Sequence, residues 1–220
     1  MCNLLSGTGV TSQYMSRKLV HMGSGPLFIL CWPIFSTAPS GQIAACTVPV
    51  LSIMRLLRAG KRTDGGQADL VKAVSRSGDK SEALGGPMVY TLVLLASTLF
   101  GWRQLVSAIA VCQMAIGDGM ADIIGRRFGK TRWPSFLEKT GKKSVEGSLA
   151  FVAFAFASSM AFVALFAVTG LTALTPLAAA PSVALISVLA ALVELLAVGD
   201  DNFNVPLAAA ILASVLLPGV

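Results

Sequence analysis

The stretch GDGMADIIGRRFGKT, residues 117–131, gathers two carboxylates, two arginines, a lysine and four glycines. Read as a helix, Asp118, Asp122 and Arg126 recur every fourth residue and share one face. Two carboxylates so placed suit Mg2+, a hard cation that takes one or two carboxylates together with phosphate oxygens. Gly117, Gly119, Gly125 and Gly129 leave the backbone open to close approach by a ligand or by another helix. Just downstream, EKTGKKSVEGS (138–148) supplies Lys139, Lys142, Lys143 and Ser144 as phosphate donors. Glu146 follows as a third carboxylate to orient a ligand or a lysine, and Ser144 with Gly147 marks a helix start whose free amides favour an anion. The competing structural reading is an Asp–Arg pair one turn apart plus packing glycines. It accounts for single residues less strainedly than for the whole constellation, which predicts a nucleotide and metal site over 117–147.

GRRFGKT resembles a P-loop, but that motif needs four residues between its glycines and here there are three, with no strand before them. A second polar island is ALVELLAVGDDNFNVPL, 191–207. Glu194 interrupts an apolar helix, and a carboxylate at membrane depth marks a functional site by default. Asp200, Asp201, Asn202 and Asn204 follow it, and a polar turn at a helix end is the structural alternative. In SRKLVHMGSG, Arg17 and His21 stand four apart. Arg17 and Lys18 read as interface anchors, and His21, the chain's one histidine, as a satisfied interfacial residue.

The elements that position these residues are membrane helices. With 55% hydrophobic and 13% charged residues, the chain of 220 residues carries about half the charge of a soluble domain. It is expected to be all-α, a single membrane-embedded domain of six to seven transmembrane helices. Candidate spans are 19–36, 41–57, 87–102, 104–117, 148–169, 182–199 and 204–217, with the helix after 117 continuing the fourth. The segment 58–86 is one long polar loop. Cys2, Cys31, Cys46 and Cys112 have neither metal-ligand nor CxxC spacing. The first eighteen residues show no signal-peptide core and no Arg/Ser-rich transit peptide, so a plastid precursor would carry its transit peptide outside this chain.

With seven spans, Arg17, Lys18, the 55–82 and 118–146 clusters and Asp200–Asp201 fall on one membrane face, and of 17 Lys and Arg only Arg103 lies opposite. That face is cytosolic, or stromal in a plastid. Three polar segments can thus converge on one site. The net charge of +6 is accounted for by this sidedness, and no nucleic acid is expected as a partner.

Taken in order, RKLVHMGSG (17–25), GDGMADIIGRRFGK (117–130), KKSVEGS (142–148) and LVELLAVGDDNFNVPL (192–207) resemble the polyprenol kinase family, phytol kinases more than farnesol or dolichol kinases. The resemblance runs from about residue 16 to 217. It implies an enzyme of the lipid bilayer that phosphorylates an isoprenoid alcohol with CTP as the nucleoside triphosphate. The expected alcohol is phytol, with geranylgeraniol or farnesol as alternatives, and the setting phytol salvage toward tocopherol in a chloroplast membrane. On that basis Asp118 and Asp122 would bind Mg2+, and Arg126, Lys142, Lys143 and Ser144 would hold the triphosphate. Asp200, Asn202 and Glu194 would shape the alcohol end, one carboxylate accepting the hydroxyl proton. A phosphatidate cytidylyltransferase shares the Asp–Gly turn and the KSVEGS-like run, but its His-Asp-Arg signature is missing. A CDP-alcohol phosphotransferase lacks its Ala-Arg and GxxxDxxxD here. An ion-coupled transporter using Glu194 and Asp118 would show an internal repeat, and none is visible.

Overall fold

The computed structural model describes residues 13–61, 82, 84–138, 143–196 and 199–217. Among them are seven helices: α1 (Gln13–Leu30), α2 (Pro39–Lys61), α3 (Gly86–Phe100), α4 (Leu105–Phe128), α5 (Val145–Val168), α6 (Pro176–Leu196) and α7 (Asp201–Leu216). A short 3-10 turn, Trp32–Ile34, follows α1. The helices α2, α4, α5 and α6 are long and apolar enough to cross a membrane, while α3 and α7, of 15 and 16 residues, are shorter apolar helices. The bundle is all-α, as expected. Lys142 and most of the polar connection 58–86 lie outside the described residues.

One boundary differs from the expectation in a way that matters. The first helix begins at Gln13 instead of 19, which brings Lys18 into the same helix as His21, three apart on one face. The fourth continues through the polar stretch to Phe128, as its reading as one helix expected.

α4 is the central helix. Its first half, from Leu105 to Gly117, is buried almost all round, including Ile109, Cys112 and Met114 at 0% exposure. It packs against α5 and α7, with α1 also alongside; α5 packs on α6, α6 on α7, and α2 on α3. A helix apolar on every side suits such an interior position. Its fully buried Gln113 donates to Ser159 Oγ at 3.1 Å and Ser187 Oγ at 3.0 Å, tying α4 to α5 and α6. Interhelical hydrogen bonds of this kind hold membrane helices together where the hydrophobic effect cannot.

Residues Gln113–Gly117 form a π turn. There the Asp118 N–H donates to the carbonyls of Gln113 and Ala115, skipping Met114. One extra residue in a turn rotates everything beyond it by about 100° relative to an unbroken α-helix. α1 is opened in a related way by Tyr90 of α3. The Gly25 N–H donates to the Tyr90 hydroxyl at 2.7 Å, and that hydroxyl donates to the His21 carbonyl at 2.8 Å. The phenol thus stands between an i and i+4 pair one residue before Pro26, and side-chain insertion of this kind kinks helices.

Consecutive helices alternate in direction, so the residues near Lys18, Gly86, Asp118, Lys143, Glu194 and Asp201 gather at one end. The far end is closed by Trp32 against Trp102, ring centroids 5.2 Å apart, and by Gln42 Nε2 donating to the Thr98 and Leu99 carbonyls at 2.9 Å. Arg103, the expected lone cation of that face, donates there to the Phe35 carbonyl. Cys31, Cys46 and Cys112 are free thiols.

The expected glycines are packing residues first. A Cβ on Gly117 would sit 2.8 Å from the Phe151 ring, and one on Gly119 would run into Met22. On Gly147 it would lie 2.9 Å from the Ala121 carbonyl and 3.3 Å from Gly125 Cα, so α4 and α5 cross backbone to backbone there. Gly147→Val should therefore lower the thermal midpoint of the detergent-purified protein, overpacking costing about 1–3 kcal/mol. Gly23→Ala, whose Cβ finds only an ordinary contact 3.9 Å away, should leave it equal or slightly raised. Equal melting of wild type and Gly147→Val would remove this crossing from the account of the fold.

Candidate functional site

Four helices contribute charge to the gathered end. From α1, Lys18 is buried, its Nζ 2.8 Å from Asp122 Oδ2 and 3.4 Å from Asp118 Oδ2. On α4, Arg126 Nε lies 2.5 Å from Asp122 Oδ1, one turn along, and the guanidinium sits 5.0 Å over the Tyr14 ring. Before α5, Lys143 places Nζ 2.9 Å from Glu194 Oε1 of α6 and 3.4 Å from Asp201 Oδ2 of α7. The same ammonium donates to the Glu194 carbonyl. Burial opposes the Lys143 charge, yet the Glu194 and Asp201 carboxylates outweigh it and hold the ammonium pKa above the ordinary lysine value. The two lattices meet where carboxylate oxygens of Asp118, Glu194 and Asp201 all come within 4.8 Å of one another.

Two cavities open at this end. One, of about 1040 Å³, is polar and is walled by Asp118, Asp122, Arg126, Arg132, Lys143 and Glu194 among others. The other, of about 560 Å³, runs between α1, α2 and α3 over Phe28, Val48, Leu56, Tyr90 and Leu94. Lys18, Gly86, Asp118 and Asn202 line both. A charged chamber and an apolar groove therefore share one wall, with an aspartate and a lysine in it.

The expected site residues divide. Asp118, Asp122, Arg126, Lys143 and Glu194 converge as foreseen. Asp122 does not pair with Asp118 as a ligand couple: Lys18 and Arg126 engage it, and Asp118 keeps company with Glu194 and Asp201. Asp200 is the N-cap of α7, its Oδ1 accepting from Asn202 N and Asn202 Nδ2 at 2.9 Å each. Ser144 lines the polar cavity but caps α5, accepting from the Gly147 N–H at 3.2 Å. Among the described residues Glu146 pairs with no lysine side chain. It accepts from the Thr131 N–H at 3.0 Å and pins the returning loop, which also pairs Arg132 with Ser144. The Val145 amide donates to the Thr131 carbonyl, so with Gly147 capped the amides expected to bind an anion are committed internally. Gly125 lines the polar cavity, and Gly129 packs tightly beside Ser144.

Lys18, His21 and Asp201 carry more of the site than their sequence positions suggested. Spacing held the first signal, since Lys18 and His21 stand three apart once α1 starts early. Capping held the second: if Asp200 caps α7, Asp201 is the neighbour left to face inward.

This fold and site define an all-helical membrane protein whose charged chamber borders an apolar groove. Comparison sharpens that class. The chain is 39% identical over 208 residues to a probable phytol kinase 1, chloroplastic, of Glycine max, covering 93% of this chain and 67% of the relative. It is 38% identical over 208 residues to phytol kinase 1, chloroplastic, of Arabidopsis thaliana, with the same coverage. To farnesol kinase, chloroplastic, of Arabidopsis thaliana it is 36% identical over 207 residues, 92% of this chain and 66% of that one. No profile of a known protein family matches, and no solved structure does. The chain belongs to the polyprenol kinase family.

Breaking the Lys143 pair tests the energetics of the lattice. Lys143→Met leaves Glu194, 6% exposed, without its cation and should destabilise the protein by about 3–5 kcal/mol. The double variant Lys143→Met/Glu194→Gln should recover most of that loss in thermal melts. Additive losses would mean that the two residues are not coupled.

Proposed function

We propose that this protein is an isoprenoid alcohol kinase that transfers the terminal phosphoryl group of CTP to phytol in a chloroplast membrane. Kinase activity on an isoprenoid alcohol is supported by the relatives named phytol and farnesol kinases. Phytol is put first because most of the relatives are named phytol kinases, at 34–39% identity, although the farnesol kinase, at 36%, falls within that range. CTP as donor is what the family resemblance implies. The polar site faces the stroma or cytosol, the side on which the basic residues collect.

One observation carries the reading: Asp118 and Lys18 line both the charged chamber and the apolar groove. A kinase for a membrane alcohol must bring a lipid hydroxyl to a water-soluble triphosphate, and only a shared wall allows that. The prenyl tail would lie over Phe28, Val48, Leu56 and Leu94, and the triphosphate against Arg126, Arg132 and Lys143. The alcohol oxygen bonds to the terminal phosphorus as the bridging bond to the nucleoside diphosphate breaks, a reaction that depends on positioning and charge neutralisation.

Five carboxylates face four cations in the chamber wall. A bare triphosphate would meet net repulsion there, and Mg2+ would lessen it by cancelling part of the phosphate charge. The fit is also chemical, since Asp118, Glu194 and Asp201 offer hard oxygen donors within 4.8 Å of one another. These three would hold Mg2+, which when bound neutralises phosphate charge. Asp122 instead keeps Lys18 and Arg126 aimed into the chamber.

Purified protein in lipid vesicles should convert phytol to its monophosphate with CTP and Mg2+. Asp118→Ala should cut turnover by about 100-fold or more while membrane insertion stays normal. Full activity in that variant would sink the assignment of Asp118. Absence of lipid phosphate from phytol, geranylgeraniol and farnesol, with either CTP or ATP, would sink the kinase reading.

A further inference from the structure

The alcohol hydroxyl needs a hydrogen-bond acceptor at the shared wall, and the carboxylates there are engaged. Asp122 is held by Lys18 and Arg126, and Glu194 and Asp201 by Lys143. Asp200 caps α7, and Asp118 faces Lys18 at 3.4 Å. His21 is different. Its ring lines the apolar groove, and its Nε2 is buried without a hydrogen-bond partner. That nitrogen lies 3.6 Å from Asp118 Oδ2, beyond hydrogen-bond reach but beside the carboxylate that both cavities share.

The fold fixes which nitrogen is left over. The Met114 backbone acts on the imidazole, and Nε2 is the ring nitrogen buried without a partner. The Met114 carbonyl is available because the π turn sends the Asp118 N–H to Gln113 and Ala115 instead. A neutral imidazole has one donor and one acceptor nitrogen, and a hydrogen bond at one ring nitrogen decides the role of the other. A neutral ring with its proton on Nδ1 presents Nε2 as an acceptor. Tyr90 completes the clamp, its ring centroid 4.6 Å from the imidazole and its hydroxyl on the His21 carbonyl.

We infer that His21 Nε2 accepts the hydrogen bond of the isoprenoid alcohol's hydroxyl and so aims the alcohol oxygen at the phosphoryl group, an assignment that rests on the kinase reading above. Nε2 is a buried nitrogen on the groove wall without a partner, and a hydroxyl arriving along the groove would supply the one donor it lacks, beside Asp118. The residue is then a substrate contact.

The experiment compares wild type, His21→Phe and His21→Gln in vesicles, varying phytol at saturating CTP and Mg2+, with CTP binding measured separately by calorimetry. His21→Phe keeps a ring but no acceptor, and its turnover should fall by about 100-fold with CTP affinity within about twofold of wild type. His21→Gln offers a carboxamide oxygen and should recover to within about tenfold of wild type. Turnover of His21→Phe within about twofold of wild type overturns the inference and leaves the kinase reading standing. Loss of CTP binding together with turnover in both variants also overturns it, since the histidine would then be structural. A wild type that binds CTP yet phosphorylates no alcohol overturns the kinase reading itself, and the inference with it.

Discussion

Everything at the polar end depends on keeping charges paired where water is scarce. Lys18 and Glu194 are buried, and an isolated ion so placed would cost several kcal/mol. Lys18 therefore bridges Asp118 and Asp122, and Lys143 bridges Glu194 and Asp201. These bridges also set the helix arrangement. Lys18 fastens α1 to α4, and Lys143 draws α6 and α7 toward the start of α5. Ion pairs that orient the charged groups of the chamber double here as cross-links between helices that lipid alone would not hold together.

On the reading proposed above, such pairing suits the chamber to an anion that arrives with a cation. The carboxylates exceed the cations in its wall by one. Lys18, Arg126 and Lys143 are each aimed by a carboxylate partner. Glu146 supports the same arrangement by gripping the Thr131 amide, beside the bridge that sets Arg132 opposite Ser144.

Much of this was legible in the sequence where one helix carries the pattern. Asp118, Asp122 and Arg126 are four apart, and a helix must line them up whatever surrounds it. Glu194 betrays itself by standing alone among apolar residues. What was not legible depended on partners from other helices. Nothing local says that Gly117 meets Phe151 while Gly125 borders the chamber. Glu146 was misassigned because its partner, the Thr131 amide, belongs to a loop whose return could not be foreseen. Asp200 and Asp201 are chemically identical, and their roles separate only once the capping residue of α7 is fixed. The early start of α1 was hidden because its first turns, Gln13 to Lys18, are polar and fall below any hydropathy threshold.

The π turn of α4 is the feature on which the fold and the chemistry both converge. Gln113 begins it, and that same residue ties α4 to α5 and α6 through Ser159 and Ser187. An extra residue in a helix interior breaks the hydrogen-bond ladder and persists only where the surroundings over-determine it. Here they do, because the Gln113 side chain is locked on two neighbours. The turn changes the phase of α4 between its buried half and its charged half. One face can therefore satisfy the core at Ile109 and Cys112 while another presents Asp118 and Asp122 to α1. A regular helix would have to compromise one for the other, so the irregular backbone is the structural condition for placing carboxylates at the end of a fully apolar core helix.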